Sequence, residues 1–543
     1  MKRNRFCLAA LAISGAILLG GCGGSGGSGE STQAEEYEPT LASLGTHPVP
    51  EWWQDARFGI FIHWGPYSVP AYAPLHKRNG EPLGELDAAP ECSPLSAWYW
   101  FFQQSPLFPG DPMLRLFYDG SQWCDATTHR RDTYGEPFVY DDFIPQFRAQ
   151  NWDPAQWVRA MHDSGARYFV LTAKHHDGFA LWPTAVTDRN AMAMGPRRDL
   201  IADLFQAADE LNADLPAGQR LRPALYYSLP EWYTPAPVPE DAFGGETIGA
   251  IGIKIVFGGD RKPHNAFTGE EVPYTGYKPI RDYAAGQVRP QLYDLIDRYH
   301  PDVLWCDVGG NEAYFRSNEV IAYYYNQARR HNPEGVVVNN RCGDPDTTHY
   351  DFVTPEYAET ITDMPPLEVT RGMGTLFAFN REAELADAYQ SSTELVKSLA
   401  EAVAYGGNLL LGIGPRADGT IPEHQLERLR DIGVWLRRNG EAIYGSRQWI
   451  QTVDEAGNFF TRGADDALYV IATGRDERTN GDKVRVAAPL PLDEARTRIT
   501  LVGGDGAALA YTRSASGFVI TLPSSIWNAH EAVHVPVLRI AAD

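Results

Sequence analysis

From Phe58 to Asn439 short apolar runs alternate with amphipathic stretches, and that alternation narrows the fold more than any other feature of the chain. The apolar runs read as strands at Phe58 to Gly65, Tyr168 to Ala173, Pro223 to Ser228, Val303 to Asp307, Val336 to Arg341, Tyr350 to Val353, Thr375 to Phe379 and Asn408 to Ile413. Runs this short, bounded by turn residues, suit strands buried on both faces. Helices are expected at Asp153 to Ser164, Leu200 to Leu211, Tyr283 to Tyr299, Asn318 to His331, Glu384 to Tyr405 and Leu426 to Asn439. The first carries Asp153 as N-cap and Pro154 at its opening position. Strand and helix in regular turn predict an α/β fold, a (β/α)8-type barrel. Two long stretches rich in Pro, Gly and aromatics, Pro70 to Phe138 and Glu240 to Gly276, follow the first and third strands. They belong over the barrel's C-terminal face, where loops commonly shape sites. Past Gln448 the texture changes to short β runs separated by turn residues, among them Ala467 to Ala472, Lys483 to Val486, Arg498 to Val502 and Gly517 to Leu522. These predict a C-terminal antiparallel β-sandwich.

The N-terminus has a different character. Lys2, Arg3 and Arg5 precede an apolar run from Cys7 to Leu19, too short for a spanning helix. Leu19-Gly20-Gly21-Cys22 then resembles a bacterial lipobox, and Gly23 to Gly29 is a Gly/Ser tether. The expected order is a lipoprotein signal peptide over 1–21, a tether over 22–46 lipidated at Cys22, the barrel over 47–446 and the sandwich over 447–543. That puts the protein in the cell envelope, on the outer membrane if Gly23 is read as lacking a retention signal; an ordinary cleaved signal and secretion is the other reading. A net charge of -23 disfavours nucleic acid and polybasic attachment to lipid. Of the six cysteines, Cys92 and Cys124 share one polar segment and could pair in an oxidising compartment. Cys306 and Cys342, at the ends of consecutive strands, read as small buried residues rather than a disulfide. No cysteine spacing suggests zinc.

Where the strands end, chemistry-bearing residues collect. Asp307 closes the fourth strand, where barrels place their active groups, although an acid there can also cap the next helix. His63, His175, His176, Tyr227, Arg341 and Glu356 hold matching positions on other strands, and Trp305 stands two residues before Asp307 on its own strand. Adjacent His175 and His176 on an extended segment should point to opposite sides. That makes a shared metal ion unfavourable and leaves neutral imidazoles bonding to hydroxyl groups as the better reading.

Four ordered motifs carry a resemblance. Phe58-Gly59-Ile60-Phe61-Ile62-His63-Trp64-Gly65-Pro66-Tyr67-Ser68-Val69-Pro70 resembles the opening motif of the α-L-fucosidases of glycoside hydrolase family 29. Leu171 to Trp182, Pro301 to Asp307 and Gly406 to Pro415 are similar to its second motif, its nucleophile strand and its last strand. The resemblance implies a retaining exo-α-L-fucosidase acting on fucosylated glycans, without a cofactor or metal, through a glycosyl-enzyme intermediate and two carboxyl groups about 5 Å apart. Asp307 is then the nucleophile, kept ionised by Arg341. The acid/base is Glu356, with Glu368 as the alternative because it falls where many relatives have Trp-Glu. His63, Trp98, His175, His176, Tyr227, Trp305, Arg341 and Phe377 match sugar-binding positions, Trp305 and Phe377 against the apolar side of fucose. Ala97 stands where relatives often carry Glu, and Asn340 where they often carry Asp. The first departure leaves an α-L-galactosidase open, since an apolar pocket rejects an added hydroxyl only modestly. A non-catalytic glycan-binding lipoprotein is the alternative from another class.

Overall fold

The structure is a computed structural model, and it describes residues 36–75, 96–100, 125–356 and 366–542, apart from short stretches within 234–273 and at 375–376, 475–481, 489, 491–496, 515–516, 524–532 and 534. The signal peptide, Cys22 and the Cys92–Cys124 pair lie outside the described residues. Seven parallel strands form one sheet: β1 (Phe58–Ile62), β2 (Tyr168–Lys174), β3 (Arg222–Ser228), β4 (Val303–Asp307), β5 (Val337–Val338), β6 (Glu368–Gly372) and β7 (Asn408–Ile413), in the order β5-β4-β3-β2-β1-β7-β6. Single-residue parallel bridges continue past its two ends, Asn339 to Phe352 and Val353 to Leu367. The expected sixth strand is therefore present only as bridges at Phe352 and Val353. The seventh lies at Glu368–Gly372; of the stretch expected there, 377–379 form no strand and 375–376 lie outside the described residues. Its Glu-Val-Thr-Arg-Gly sequence hides it, because its inward residues Glu368 and Thr370 are polar and no apolar run marks it.

Both faces of the sheet are buried. Leu171, Leu225, Tyr227, Leu304 and Cys306 join the cluster on the helix side. Phe61, Tyr168, Tyr226, Trp305, Phe352 and Leu410 form a second cluster on the other face. Gly59 is small because Tyr168 crosses it: a Cβ there would lie 2.4 Å from the tyrosine ring. Among the helices are α1 (Pro154–Asp163), α2 (Leu200–Asn212), α3 (Arg289–Tyr299), α4 (Ser317–His331), α5 (Ser392–Ala404) and α6 (Glu423–Asn439). Asp153 caps α1 through Gln156 N, with Pro154 at its start. The single helix expected from Glu384 to Tyr405 is broken. A short helix Arg381–Ala386 ends at Asp387 in the left-handed region (φ 47°), and α5 restarts on a capping box made by Ser391 and Glu394. That S-x-x-E pattern is a legible start signal inside a run whose apolar spacing looks continuous.

Packed chain begins before the tether's expected end. Tyr37 N donates to Asn326 Oδ1 at 2.9 Å, and Leu44 in the helix Leu41–Leu44 is fully buried. Beyond α6, strands β8 (Arg447–Val453), β9 (Phe459–Arg462), β10 (Leu468–Ile471), β11 (Lys483–Val486), β12 (Thr497–Leu501), β13 (Tyr511–Ser514), β14 (Gly517–Thr521) and β15 (Val537–Ala542) make two antiparallel sheets, β8-β9-β10-β15-β12 and β11-β14-β13. One apolar cluster draws on both, from Phe460 and Val470 on one sheet to Val484 and Ile520 on the other. Hydrogen bonds from Trp435 to Val535 O (2.8 Å) and from Thr461 to Ala442 O (2.8 Å) tie this region to α6 and the turn after it.

Candidate active site

The site forms at the C-terminal ends of β1 to β5. β1 hands over to His63, whose N–H still donates to Ile413 O on the neighbouring strand. Its ring is buried and stacks on Phe377 with centroids 4.7 Å apart. His175 and His176 follow β2. The alternation expected to point them apart is broken by a register irregularity between Thr172 and Lys174 and by the turn in which Gly178 N donates to His175 O. Both rings therefore face the site, 4.3 Å apart. Among the described residues, no group of acids, cysteines and histidines is placed to hold a metal ion. Burial drives His63 and His175 well below the ordinary histidine range, and it lowers His176, with help from the Lys174 cation, to about 3. All three are neutral near pH 7. Ser228 gives its proton to Pro230 O, so His176 Nδ1 is the donor to Ser228 Oγ at 2.6 Å, and Nε2 is left as an acceptor. Among the described residues His63 Nδ1 and His175 Nδ1 are buried with no hydrogen-bond partner.

Asp307 sits among these groups, 15% exposed. Its Oδ2 accepts from Tyr226 Oη at 2.7 Å and lies 3.6 Å from His176 Nε2; its Oδ1 accepts from Val308 N at 3.0 Å and from Arg341 Nη1 at 3.3 Å. Arg341 is anchored by Thr354, donating from Nε to Oγ1 and from Nη2 to the carbonyl, each at 2.7 Å. Asn340 accepts from Thr354 N and Oγ1, so the residue found where relatives often carry Asp supports this anchor. The same Nη1 that meets Asp307 also meets Glu356 Oε1 at 2.9 Å. Sharing one nitrogen keeps these oxygens of Asp307 and Glu356 no more than about 6 Å apart, a bound compatible with the roughly 5–5.5 Å of retaining carboxyl pairs. Glu356 is 35% exposed. Burial raises its pKa, Arg341 opposes, and Asp307 adds to the rise.

Trp305 lies on the inward face of β4 beside Tyr226, and its indole donates to Glu368 Oε1 at 2.9 Å. Glu368 Oε2 accepts from Tyr168 at 2.5 Å. Glu368 is fully buried inside β6 with both oxygens engaged, and burial raises it to about 7. Trp98 stands edge-on to His176 and to Trp232, which also packs on His176. Ala97 is buried beside Tyr67 and Ala378, so it presents no polar atom of its own side chain there.

One expected contact is wrong. Tyr227 faces the helices, donating to Gln291 at 2.8 Å under the Lys174 ammonium, 4.4 Å above its ring. Tyr226 reaches Asp307 instead. Strand register explains this: Tyr226 pairs with Trp305 and Tyr227 with Cys306. Residues in register on parallel strands share a face, so placing Trp305 inward already selects Tyr226. Cys306 and Cys342 are also corrected: both are buried, but they form a disulfide with Cα atoms 4.8 Å apart. Trp232 and Thr354 carried no motif signal; only the folded chain brings them here.

A family model described as alpha-L-fucosidase matches residues 27–441. The chain is 31% identical over 505 residues to an α-L-fucosidase of Branchiostoma floridae, covering 91% of this chain and 93% of that one. It is 30% identical over 495 residues to the human tissue α-L-fucosidase, covering 90% and 88%. Among solved structures, the α-fucosidase of Thermotoga maritima superposes with a TM-score of 0.66 at 33% identity, over 93% of this chain and 100% of that one. The structure of that enzyme in complex with fucose gives a TM-score of 0.66 at 32% identity, with the same coverage. Motifs, fold and site agree with these likenesses, and the chain belongs to the α-L-fucosidase family, glycoside hydrolase family 29.

Proposed function

We propose that this protein is a retaining exo-α-L-fucosidase that removes terminal α-L-fucose from glycans. The observation that carries the mechanism is the single Arg341 nitrogen shared by Asp307 and Glu356. It keeps the two carboxyl groups near one another, as the separation of about 5–5.5 Å in double displacement requires. Asp307 attacks the anomeric carbon while Glu356 protonates the leaving oxygen. Glu356 then takes a proton from water, which displaces Asp307 and restores the starting configuration. Neutral His63, His175 and His176 bond the sugar hydroxyls. The stacked Phe377 and His63 rings offer an apolar wall for the C6 methyl, with Trp98 and Trp232 beside His176. Tyr226 takes the place expected of Tyr227, and Arg341 joins both carboxyl groups. Glu368 holds Trp305 from below and is not the acid, because neither of its oxygens is free to reach a leaving group.

The scaffold in this reading is a closed (β/α)8 barrel followed by a sandwich. The two single-residue bridges at Phe352 and Val353 lie where a closing strand would join the sheet's edges, which supports it. The barrel ends near residue 446, before β8. The N-terminal signal, lipidated Cys22 and tether would place the enzyme on the envelope surface, most simply the outer membrane. Cys22→Ser should then release the protein from the membrane fraction or leave its signal uncleaved; unchanged processing and recovery would refute the anchor.

The function is tested by release of 4-nitrophenol from the aryl α-L-fucoside and the aryl α-L-galactoside side by side, with the first-formed sugar anomer followed by proton NMR. The reading expects a clear fucoside preference and α-L-fucose as the first product. Equal or better galactoside turnover would move the substrate class. First-formed β-L-fucose would reject the retaining mechanism. No turnover, with fucose still bound, would favour the glycan-binding reading.

A further inference from the structure

The parallel ladder between β4 and β5 registers Val303 with Val337 and Leu304 with Val338. Asp307 and Arg341 both lie beyond its last registered pair. Other bonds hold them together there. Asn339 turns its side chain onto Cys306, accepting from its N–H and donating to its carbonyl, both at 2.9 Å. The Cys306–Cys342 disulfide then joins the residue before Asp307 to the residue after Arg341. The Cys342 carbonyl accepts from Ser317 Oγ at the start of α4, at 2.6 Å. Further out, Asp344 N donates to Gly310 O at 3.1 Å. Gly309 and Gly343 pack backbone on backbone, where a Cβ on Gly309 would lie 2.6 Å from Gly343 O. Cys306 and Cys342 are 1% and 3% exposed, and Cys306 packs on the helix side of the sheet. The disulfide faces away from the sugar pocket.

We propose that Cys306–Cys342 is a positioning crosslink that holds the nucleophile Asp307 against Arg341, so that full activity requires the oxidised pair. The inference rests on the roles proposed above. With the bond open, hydrogen bonds, the Gly309–Gly343 packing and the Asp307–Arg341 ion pair join the two loops, with no covalent link between them. Asp307 then leaves the line of attack for part of the time, and displacements of about 1 Å at a reacting group can cost on the order of 10²-fold in rate. Opening the bond takes two electrons and two protons, which a dithiol supplies as it is oxidised to its own disulfide; Cys306 and Cys342 become thiols. The enzyme would therefore work at full rate only in an oxidising compartment.

The test compares the full chain with Cys306→Ala/Cys342→Ala, well below the melting temperature of either. It measures kcat and KM on an aryl α-L-fucoside, and the maximal rate and half-saturation of inactivation by 2-deoxy-2-fluoro-α-L-fucosyl fluoride. The expected result is a fall of about 10- to 100-fold in kcat and in the inactivation rate, with KM and half-saturation changed by less than about twofold. If the crosslink only stabilised the fold, the variant would melt at a lower temperature with these rates unchanged, and that result overturns the proposal. Should the double variant fail to fold, native enzyme reduced with dithiothreitol, its thiols counted by alkylation and mass, gives the same comparison: activity should fall with thiol number and return on reoxidation. Reduced, folded enzyme with undiminished kcat also overturns it, as does finding Cys306 and Cys342 as free thiols in active enzyme. A wild-type chain that neither cleaves the fucoside nor is inactivated overturns the functional reading together with this one. An active wild type with an equally active variant overturns this one alone.

Discussion

Two levels of the same sheet carry acids, and they differ in what their carboxyl groups can reach. At the rim, Asp307 and Glu356 share Arg341 and keep 15% and 35% of their side chains exposed. One level down, Glu368 is sealed between Tyr168 and Trp305. Both glutamates have raised pKa values, Glu368 to about 7, for the same first cause, burial. A perturbed carboxyl therefore does not by itself identify the catalytic acid. Reach does: the rim glutamate can meet a leaving oxygen, while the floor glutamate supports the tryptophan beside Tyr226, the tyrosine bonded to Asp307.

The largest expected effect is at the rim. Asp307→Gly should reduce turnover of every fucoside by at least about 10⁴-fold, since the covalent step is gone. Azide added to an activated substrate should yield β-fucosyl azide if the pocket is intact, identified by NMR. Residual hydrolysis at a tenth of wild type would remove Asp307 from its role.

Glu356→Ala comes next, with a loss of about 10² to 10⁴ on natural glycans and much less on activated aryl fucosides. Azide should accelerate its turnover and give α-fucosyl azide. The raised pKa keeps Glu356 protonated further toward neutrality than a free glutamate, so rates on poor leaving groups fall as pH rises through that value. In the variant that basic limb should vanish from the pH profile on activated fucosides. The histidines cannot supply it, because His176 titrates at about 3 and the other two are held well below their usual range. If Glu368→Ala shows the azide-rescued pattern instead, the two levels have been assigned the wrong way round.

A tyrosine pair sharpens the comparison at single-residue resolution. Tyr226→Phe removes a hydrogen bond to a carboxylate, about 1.5–3 kcal/mol, and should lower kcat accordingly. Tyr227→Phe removes a neutral bond on the helix side, about 1 kcal/mol of stability, with kcat unchanged. Steady-state kinetics alongside thermal melts separate the two; equal kinetic effects would contradict the pairing of Tyr226 with Trp305.

The smallest effect on activity is expected at the floor. Glu368 binds its proton more tightly folded than unfolded, so the stabilisation from that proton is present below the ordinary value of 4.5 and lost as pH rises through about 7. Glu368→Gln should flatten the decline of melting temperature across that window. Glu368→Ala should cost about 1–3 kcal/mol for each of its two buried donors left without an acceptor. A variant as pH-sensitive as wild type would mean the buried charge lies elsewhere.

Most strands were legible in the sequence because their apolar runs end on residues that the rim uses, as at His63, His175 and Asp307. β6 was not, because its inward face is Glu368 and Thr370 rather than aliphatic. The sequence does not separate Tyr226 from Tyr227, because identical neighbours differ only in strand parity, which depends on the register with β4. Alternation does not hold at the histidine pair because β2 has a register shift just before it, and no residue type announces that shift. The Cys306–Cys342 bond needed the distance between two neighbouring strand ends. Trp232 and Thr354 enter through loops whose course depends on tertiary contacts.

The most direct test of the two-carboxylate account is to inactivate the enzyme with 2-deoxy-2-fluoro-α-L-fucosyl fluoride, digest it and locate the label by mass spectrometry. The account predicts one fluorofucosyl group, on Asp307, both in wild type and in Glu356→Ala. A label on Glu356 or Glu368, or inactivation with no covalent sugar at all, would contradict it.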